Sequence, residues 1–447
     1  MTKARLTVLI LLSLISGISA FWGFFAERSA HGRIGDFKLA YYGAGALVEH
    51  HDPYSEDELR RIFEAEGGQS PSDPNKRHEI LRKLAMQVYL PTAFLFLAPF
   101  GFLSWGAAHL LWMLVTAGSL TFAAFLIWDL GANYSPDLSF YLICFMLANS
   151  GVLFAGGNPA GLVIGLCVVA VWCFLEERHA AAGVACLAVS LAIKPHDAGL
   201  VWLFLLLAGG VYRKRALQTL AVVAFLSVPA VMLVSHVSPN WVQELRWNLA
   251  TTSEPGGNAD PGPSNVGAIS PGMIIDLQTV VSAFRDDPHF YNGITYLICG
   301  PLLLYWMLVT IRFRPSRQSA LFALAAIATL SLLPLYHRPH DAKILLLTIP
   351  ACAMLWSEGS RVRWWAVIFT TAGIFGTSEI PLALIATLSR NNDASVAVAQ
   401  SNMSMVLLNR PAPLVLLASG IFYLWVYAKR LSPSGAESTS VDRFDKA

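Results

Sequence analysis

The chain has 447 residues, of which 55% are hydrophobic and only 13% are charged, and its mean hydropathy is +0.53. A soluble protein carries about 25% charged residues, so the composition excludes a soluble globular protein and indicates a multi-pass membrane protein. The 31 basic and 29 acidic residues nearly cancel and lie in short loops, which gives no basic surface for nucleic acid. We therefore expect the lipid bilayer, and no nucleic acid, among the partners.

The first apolar segment, Leu6–Ala26, follows Lys3 and Arg5. It is long for a signal peptide, and no small-residue cleavage site precedes Glu27. We interpret it as a retained transmembrane helix. All six cysteines fall inside or at the ends of apolar stretches, which favours hydrophobic packing over disulfides or metal sites.

Asp36 lies a few residues beyond the point where the first helix leaves the bilayer. The residues Phe37–Val48 are rich in Ala, Gly, Leu and Tyr, which predicts a helix in the membrane interface. Pro53 ends this helix, because proline disfavours a helical conformation at the residue before it. Ser55 and Glu58 have capping-box spacing and predict the start of a second interfacial helix.

Apolar segments of about spanning length then recur to the end of the chain. With Leu6–Ala26 they are Tyr89–Leu103, Ala107–Trp128, Leu138–Ala155, Gly161–Leu175, Ala180–Ile193, Gly199–Val211, Ala216–Ser235, Ile294–Ile311, Ala320–Leu335, Ile344–Trp356, Trp364–Leu388 and Pro413–Ala428. This pattern predicts an all-α polytopic bundle of about 12–13 membrane segments in a single integral membrane domain, residues 1–430. The long polar interruptions, 27–88 and 236–292, are expected to be a first and a second outer loop, and residues 431–447 a disordered cytoplasmic tail.

The basic residues constrain the topology. If every segment crossed, Tyr212–Arg215 and Arg312–Arg317 would lie on the side opposite Lys3, against the positive-inside rule. The conflict disappears if one segment between Tyr89 and Ala155 only dips into the membrane. The candidates are Tyr89–Leu103, which contains two prolines, and Leu138–Ala155, which runs into a Gly-Gly-Asn-Pro turn.

With that correction, the unusual polar residues converge on one outer face. They are Asp36, the turn Gly156–Pro159, Lys194-Pro195-His196-Asp197, the loop 236–292 and His337-Arg338-Pro339-His340-Asp341. A channel or pump more often spreads ionisable groups through the membrane midplane. The pattern therefore indicates chemistry at the membrane surface.

The ordered set of motifs from Gly35 to Lys343 resembles glycosyltransferase family 87. The resemblance lies in Asp36-Phe37-x-x-Tyr41-Tyr42-x-Ala44-x-Ala46-Leu47 with Asp52-Pro53-Tyr54, then Tyr89-x-Pro91, Gly157-Asn158 and Lys194-Pro195. It implies the GT-C membrane fold and a polyprenyl-phosphate-sugar-dependent transferase, with mannose as the expected sugar. Asn158 stands where many relatives carry Gln, and the loop Thr251–Pro271 has no counterpart, which leaves sugar and acceptor open.

The chemistry of such a transfer assigns expected roles to individual residues. Asp36 is the expected general base of an inverting transfer, and the remaining expected substrate contacts are Tyr41, Tyr42, Asp52, Tyr89 and Asn158. Donors for the leaving phosphate would be Lys194, His196, His337, Arg338 and His340. The acceptor would be a glycolipid, a glycan or a protein, and the site would lie on the outer (periplasmic) face of the cell membrane. No metal or cofactor is expected, because the Asp and His residues show no recognised ligand spacing.

Structural alternatives exist for several of these residues. Asp36 could cap the interfacial helix, Asp52 could be a turn residue, and Tyr41 and Tyr42 could anchor the chain at the headgroup level. Lys194 could snorkel to the surface. A transporter or flippase is the main competing function, although we find no inverted repeats. A membrane scaffold would leave the polar clustering unexplained.

Overall fold

The computed structural model describes residues 2–29, 34–66, 84, 87–263, 274–381, 383–384, 406 and 410–431. These residues contain helices and loops but no strand, which confirms an all-α protein. The helices are α1 (Lys3–Ser29), α2 (Asp36–Val48), α3 (Glu56–Ala65), α4 (Pro91–Gly101), α5 (Trp105–Ala132), α6 (Pro136–Ala148), α7 (Gly151–Gly156), α8 (Ala160–Leu175), α9 (Ala180–Ile193), α10 (Pro195–Ala208), α11 (Gly210–Val237), α12 (Trp241–Ser253), α13 (Gln278–Ser282), α14 (Pro288–Phe313), α15 (Arg317–Leu330), a 3-10 helix (Asp341–Thr348), α16 (Ile349–Ser357), α17 (Val362–Gly376) and α18 (Ala412–Leu431).

Five of these helices, α1, α5, α11, α14 and α18, are long and apolar enough to cross a membrane. Further apolar helices of 10–17 residues pack between them. Large apolar side chains such as Phe225 and Met232 on α11 point outward and are exposed, as expected of a surface that faces lipid. The chain is therefore a polytopic membrane protein. The expected tail, 431–447, lies outside the described residues except for Leu431, the last residue of α18.

The two ends of the bundle carry different polar groups. Asn158 lies just before α8 and Glu176 follows it, so the 16 residues of this helix separate them by about 24 Å. Glu176 pairs with Arg317 at one end, whereas Asn158 bonds to Asp36 at the other. We call these the basic end and the Asp36 end.

Further ion pairs belong to the basic end. Arg5 pairs with Asp129, whose carboxylate also accepts a hydrogen bond from Trp172 in the last turn of α8. Arg430 pairs with Glu358. These basic groups are among those that the positive-inside rule assigns to the cytoplasm, and the fold gathers them at one end.

Helix α4 begins and ends near the Asp36 end. Thr92 in its first turn donates a hydrogen bond to the carbonyl of Ala192, 2.6 Å away and two residues before Lys194. Just beyond its other end, the Leu103 carbonyl accepts a hydrogen bond of 2.8 Å from Tyr41 of α2. Its 11 residues span only about 16 Å, short of the roughly 30 Å hydrocarbon core. Of the two candidate segments, Tyr89–Leu103 is thus the one that does not run between the two ends.

The other candidate, Leu138–Ala155, does pass between them. The chain breaks at Asn149 and Ser150, so that this segment forms two helices, α6 and α7. At its start, the Pro136 carbonyl accepts a hydrogen bond from Trp128, near the basic end, and its far end leads into Asn158.

Two hydrophobic cores organise the described residues. In the larger one, α15 is buried over nearly its whole circumference, from Ser319 to Leu330. The smaller one joins α2, α3 and α4 with Trp112 of α5 and Leu245 of α12. The predicted interfacial helices therefore form a packed layer over the Asp36 end.

This arrangement predicts the outcome of cysteine labelling on intact cells. A cysteine at the exposed positions His50 or Arg285 should react with an impermeant maleimide, and one at Lys214 or Arg314 should react only after the membrane is opened. The parent chain, whose six cysteines all lie in apolar helices, is the control. Labelling of position 214 but not of position 50 in intact cells would contradict the one-sided arrangement.

Candidate active site

Asp36 is the first residue of α2, and its carboxylate is held from outside that helix. Its Oδ2 accepts a hydrogen bond of 2.5 Å from Nδ2 of Asn158. The N-cap of α2 is Gly35, and no side-chain cap bond forms there. Asp36 is only partly buried, and the first turn of a helix stabilises negative charge. The carboxylate is thus held by Asn158 instead of capping its own helix.

The turn that carries Asn158 is fixed on several sides. Oδ1 of Asn158 accepts a hydrogen bond from the backbone N–H of Ala160 at 2.9 Å, and Trp112 donates to the carbonyl of Gly157 at 2.8 Å. Gly157 has φ of +60°, and a Cβ at this position would lie 2.6 Å from Cβ of Phe37. Glycine is therefore required here, because the turn packs directly against α2.

A second group of charges surrounds Lys194, between α9 and α10. Its ammonium group contacts the carboxylates of Asp341 and, at 3.0 Å, Asp197. Asp341 also accepts a hydrogen bond of 2.8 Å from the backbone N–H of Arg338. Burial alone would lower the pKa of Lys194, but the two carboxylates more than offset this and raise it above its ordinary value. Lys194 is thus a buried ion-pair partner and does not snorkel to the surface.

Three histidines complete this group. His196 and His337 approach Oδ1 of Asp197 at 3.5 and 3.8 Å, and His340 approaches Asp341 at 3.6 Å. Burial lowers the pKa of His340 to about 4 and also lowers that of His337, so both rings are neutral near pH 7. The histidines can therefore bind a ligand through lone pairs or neutral N–H groups.

The Asp36 carboxylate and the Lys194 group lie within electrostatic reach of each other. Burial raises the pKa of the Tyr89 phenol, and the carboxylates of Asp36 and Asp341 raise it further. Burial alone would lower the pKa of Arg338, but Tyr336 and Asp36 outweigh it. Tyr89 and Arg338 thus lie within electrostatic reach of both Asp36 and Asp341.

Other predicted contacts lie within the interfacial layer. Tyr41 donates to the carbonyl of Leu103 at 2.8 Å, and the buried Tyr42 donates to Glu66 at 3.1 Å. Asp52 accepts from the backbone N–H two residues later, which is a turn geometry. Substrate contact by these three side chains stays a prediction.

Sequence reasoning placed Asp197 and Asp341 on the outer face but did not predict that they hold Lys194. The i, i+3 spacing of Lys194 and Asp197 at a helix start was an available signal. It also missed a small cleft beside Asp36. That cleft is lined by Glu27, Gly35, Phe37, Lys38, Trp105, His109 and Ala155–Gly157.

The model for Glycosyltransferase family 87 matches residues 88–337, which include Tyr89, Asn158, Lys194 and His337 but begin after Asp36. No curated protein and no solved structure matches the chain significantly.

The ion-pair geometry predicts a stability effect. Lys194→Met leaves two buried carboxylates without their cation and should destabilise the protein by about 3–5 kcal/mol, because an uncompensated buried charge is costly. Thermal unfolding in detergent should show a lower midpoint, and Lys194→Met/Asp341→Asn should recover part of the loss. An unchanged midpoint in the single variant would show that the three charges are not coupled.

Proposed function

The chain belongs to glycosyltransferase family 87, and we propose that it transfers a sugar from a polyprenyl-phosphate donor to an acceptor hydroxyl, with Asp36 as general base. One observation carries the proposal. A partly exposed carboxylate, oriented by Asn158, lies within electrostatic reach of Arg338. A base and a cation for an anionic leaving group are the two elements that such a transfer requires.

The reaction proceeds by a single inverting displacement. The acceptor oxygen attacks the anomeric carbon while Asp36 takes the proton of the attacking hydroxyl. The bond between the anomeric carbon and the phosphate oxygen breaks, and polyprenyl phosphate leaves with the electron pair. The leaving group is already an anion, so no general acid is needed. Asn158 keeps one carboxylate oxygen fixed, which orients the other toward the acceptor.

Arg338 is the leading candidate for binding the phosphate. Its guanidinium donates to the carbonyl of Asn258 at 3.2 Å, and its Nε has no hydrogen-bond partner among the described residues. Lys194, by contrast, already pairs with two carboxylates. We therefore assign the direct phosphate contact to Arg338, with His340 as a neutral donor beside it. Lys194 supports the site through its ion pairs.

A lipid-linked donor suits the position of the site. The Asp36 end is covered by the packed layer of α2, α3 and α4, where a polyprenyl chain can remain in the bilayer while its phosphate reaches the polar groups. The opposite end carries the basic groups that favour the cytoplasm, which supports a site on the outer face of the cell membrane. Mannose is proposed as the sugar on the family resemblance, and the acceptor as a glycolipid, glycan or protein.

The general-base assignment predicts that Asp36→Asn abolishes transfer. Asparagine keeps the shape and can still bond to Asn158, but it cannot accept a proton near neutral pH, so kcat should fall about 100-fold or more. Binding of the lipid donor should be nearly unchanged. Asp57→Asn, which removes an exposed carboxylate of α3, is the matched control. Wild-type turnover in the Asp36→Asn variant would exclude a role for Asp36 as the base.

The phosphate assignment predicts a loss of donor affinity in Arg338→Ala. A hydrogen bond to a charged group contributes about 1.5–3 kcal/mol, which corresponds to a Kd raised about 10- to 150-fold. Arg338→Lys should restore affinity in part, since the charge remains while the planar geometry is lost. Arg285→Ala, at an exposed arginine paired with Asp287, is the control. If Arg338→Ala binds the donor as tightly as the parent, the phosphate lies elsewhere.

A further inference from the structure

Three side chains near the Asp36 end bring metal-ligating atoms together. His196 and Asp197 lie in the first turn of α10, and His337 lies in the loop before the 3-10 helix. One ligand atom from each lies within 4.8 Å of the other two. Sequence spacing did not reveal this set, because His337 is distant along the chain from the other two.

Two of these ligand atoms face each other without a hydrogen-bond partner. Nδ1 of His337 lies 2.9 Å from the carbonyl of Leu335, and this contact is a hydrogen bond only if Nδ1 carries the proton. Nε2, the other ring nitrogen, then faces Oδ1 of Asp197 at 3.8 Å. Neither atom has a hydrogen-bond partner among the residues that the structure describes, and both side chains are about 99% buried. Lys194 contacts the other oxygen of Asp197, so Oδ1 and the facing Nε2 still lack a partner, and buried polar atoms of this kind are normally satisfied by a cation or a donor.

The two nitrogen–oxygen distances are close to those of a metal site. The donor atoms of a tetrahedral zinc site lie about 2.0–2.2 Å from the ion and so about 3.3–3.5 Å from each other. The two imidazole nitrogens lie 3.5 and 3.8 Å from the Asp197 oxygen, too far for hydrogen bonds and slightly wider than such a site. The bond from His337 to Leu335 has the form of an outer contact that orients a metal-binding histidine.

We propose that His196, Asp197 and His337 bind one divalent transition-metal ion such as Zn²⁺. Two imidazoles and a carboxylate favour such an ion over Mg²⁺ or Ca²⁺, which prefer oxygen ligands. Three protein ligands leave a coordination position for water or a substrate oxygen, as in catalytic zinc sites.

The charges of the site give the ion a role. Lys194 supplies one positive charge against the two carboxylates of Asp197 and Asp341, so this group is a poor receptor for an anion when alone. A bound divalent ion changes the net charge of this group from negative to positive. On the proposed function, on which this step rests, its open position would take an oxygen of the donor phosphate beside Arg338 and stabilise the leaving group.

Metal binding can be measured without donor or acceptor. Tag-free protein, purified in detergent and stripped with chelator, is titrated with Zn²⁺ against a chromophoric chelator, and separately with Co²⁺, whose visible absorption reports low-coordinate N/O ligation. We expect one tight site per chain. His337→Ala should weaken it at least about 100-fold, since losing outer contacts alone costs about 10- to 100-fold. His196→Ala should do the same, and because this side chain is 40% exposed, the variant should remain folded.

His340→Ala is the matched control. It removes another buried histidine of the same group, one that approaches Asp341 instead of Asp197, and should leave Zn²⁺ affinity within about threefold (about 0.7 kcal/mol) of the parent. The assignment is overturned if the parent binds no stoichiometric Zn²⁺, if both ligand variants bind as tightly as the parent, or if His340→Ala loses as much affinity as they do. Tight binding with the expected variant pattern supports the metal site even if sugar transfer fails.

Discussion

The hydrogen bond between Asp36 and Asn158 joins two parts of the chain that are 122 residues apart. It attaches the interfacial helix α2 to the start of α8, a helix of the bundle, and so places a carboxylate at a defined point above the membrane-embedded core. The packing around it serves the same contact: Phe37 stacks on Trp112 with ring centroids 4.5 Å apart, and Gly157 allows the turn to approach. Other features of the candidate site are arranged relative to this point.

Electrostatics explains why the charged groups gather at the two ends of the bundle. Charges inside the hydrocarbon region are costly, so the chain holds its ionisable residues where water, headgroups or opposite charges can compensate them. At the basic end they form simple ion pairs such as Arg317 with Glu176. At the Asp36 end they form a denser network. There Lys194 pairs with the carboxylates of Asp197 and Asp341, and the histidines lie beside the same carboxylates. Such a network is costly unless a ligand completes it, which is why we assign function to this end.

Local sequence signals predicted much of the fold. Apolar length located most of the helices, and Pro53 and Ser55 marked the end of α2 and the start of α3, although Ser55 forms no side-chain cap bond. The positive-inside rule required one segment that does not cross, but composition could not choose between two apolar stretches. The contacts of α4 with α2 and α9 decide between them. These are tertiary contacts, which composition does not reveal.

The candidate site was also predictable only in part, because the sequence shows single unusual residues but not the tertiary contacts between them. Single residues such as Asp36, Lys194 and His337 were unusual enough in an apolar chain to be singled out. The contacts between them were not predictable, because the contact of Lys194 with Asp341 spans 147 residues and that of His337 with Asp197 also depends on the fold. Spacing along the chain therefore gave no reason to propose a metal site. The sequence prediction that Lys194 binds the phosphate also did not take its two carboxylate partners into account.

The most direct test is a reaction of the purified protein in liposomes with radiolabelled polyprenyl-phosphate mannose. We expect release of polyprenyl phosphate that depends on an added acceptor, together with a glycoside of inverted anomeric configuration. Movement of the intact lipid-linked sugar between leaflets, with no acceptor-dependent release and no glycoside formed, would contradict the account and identify a transporter.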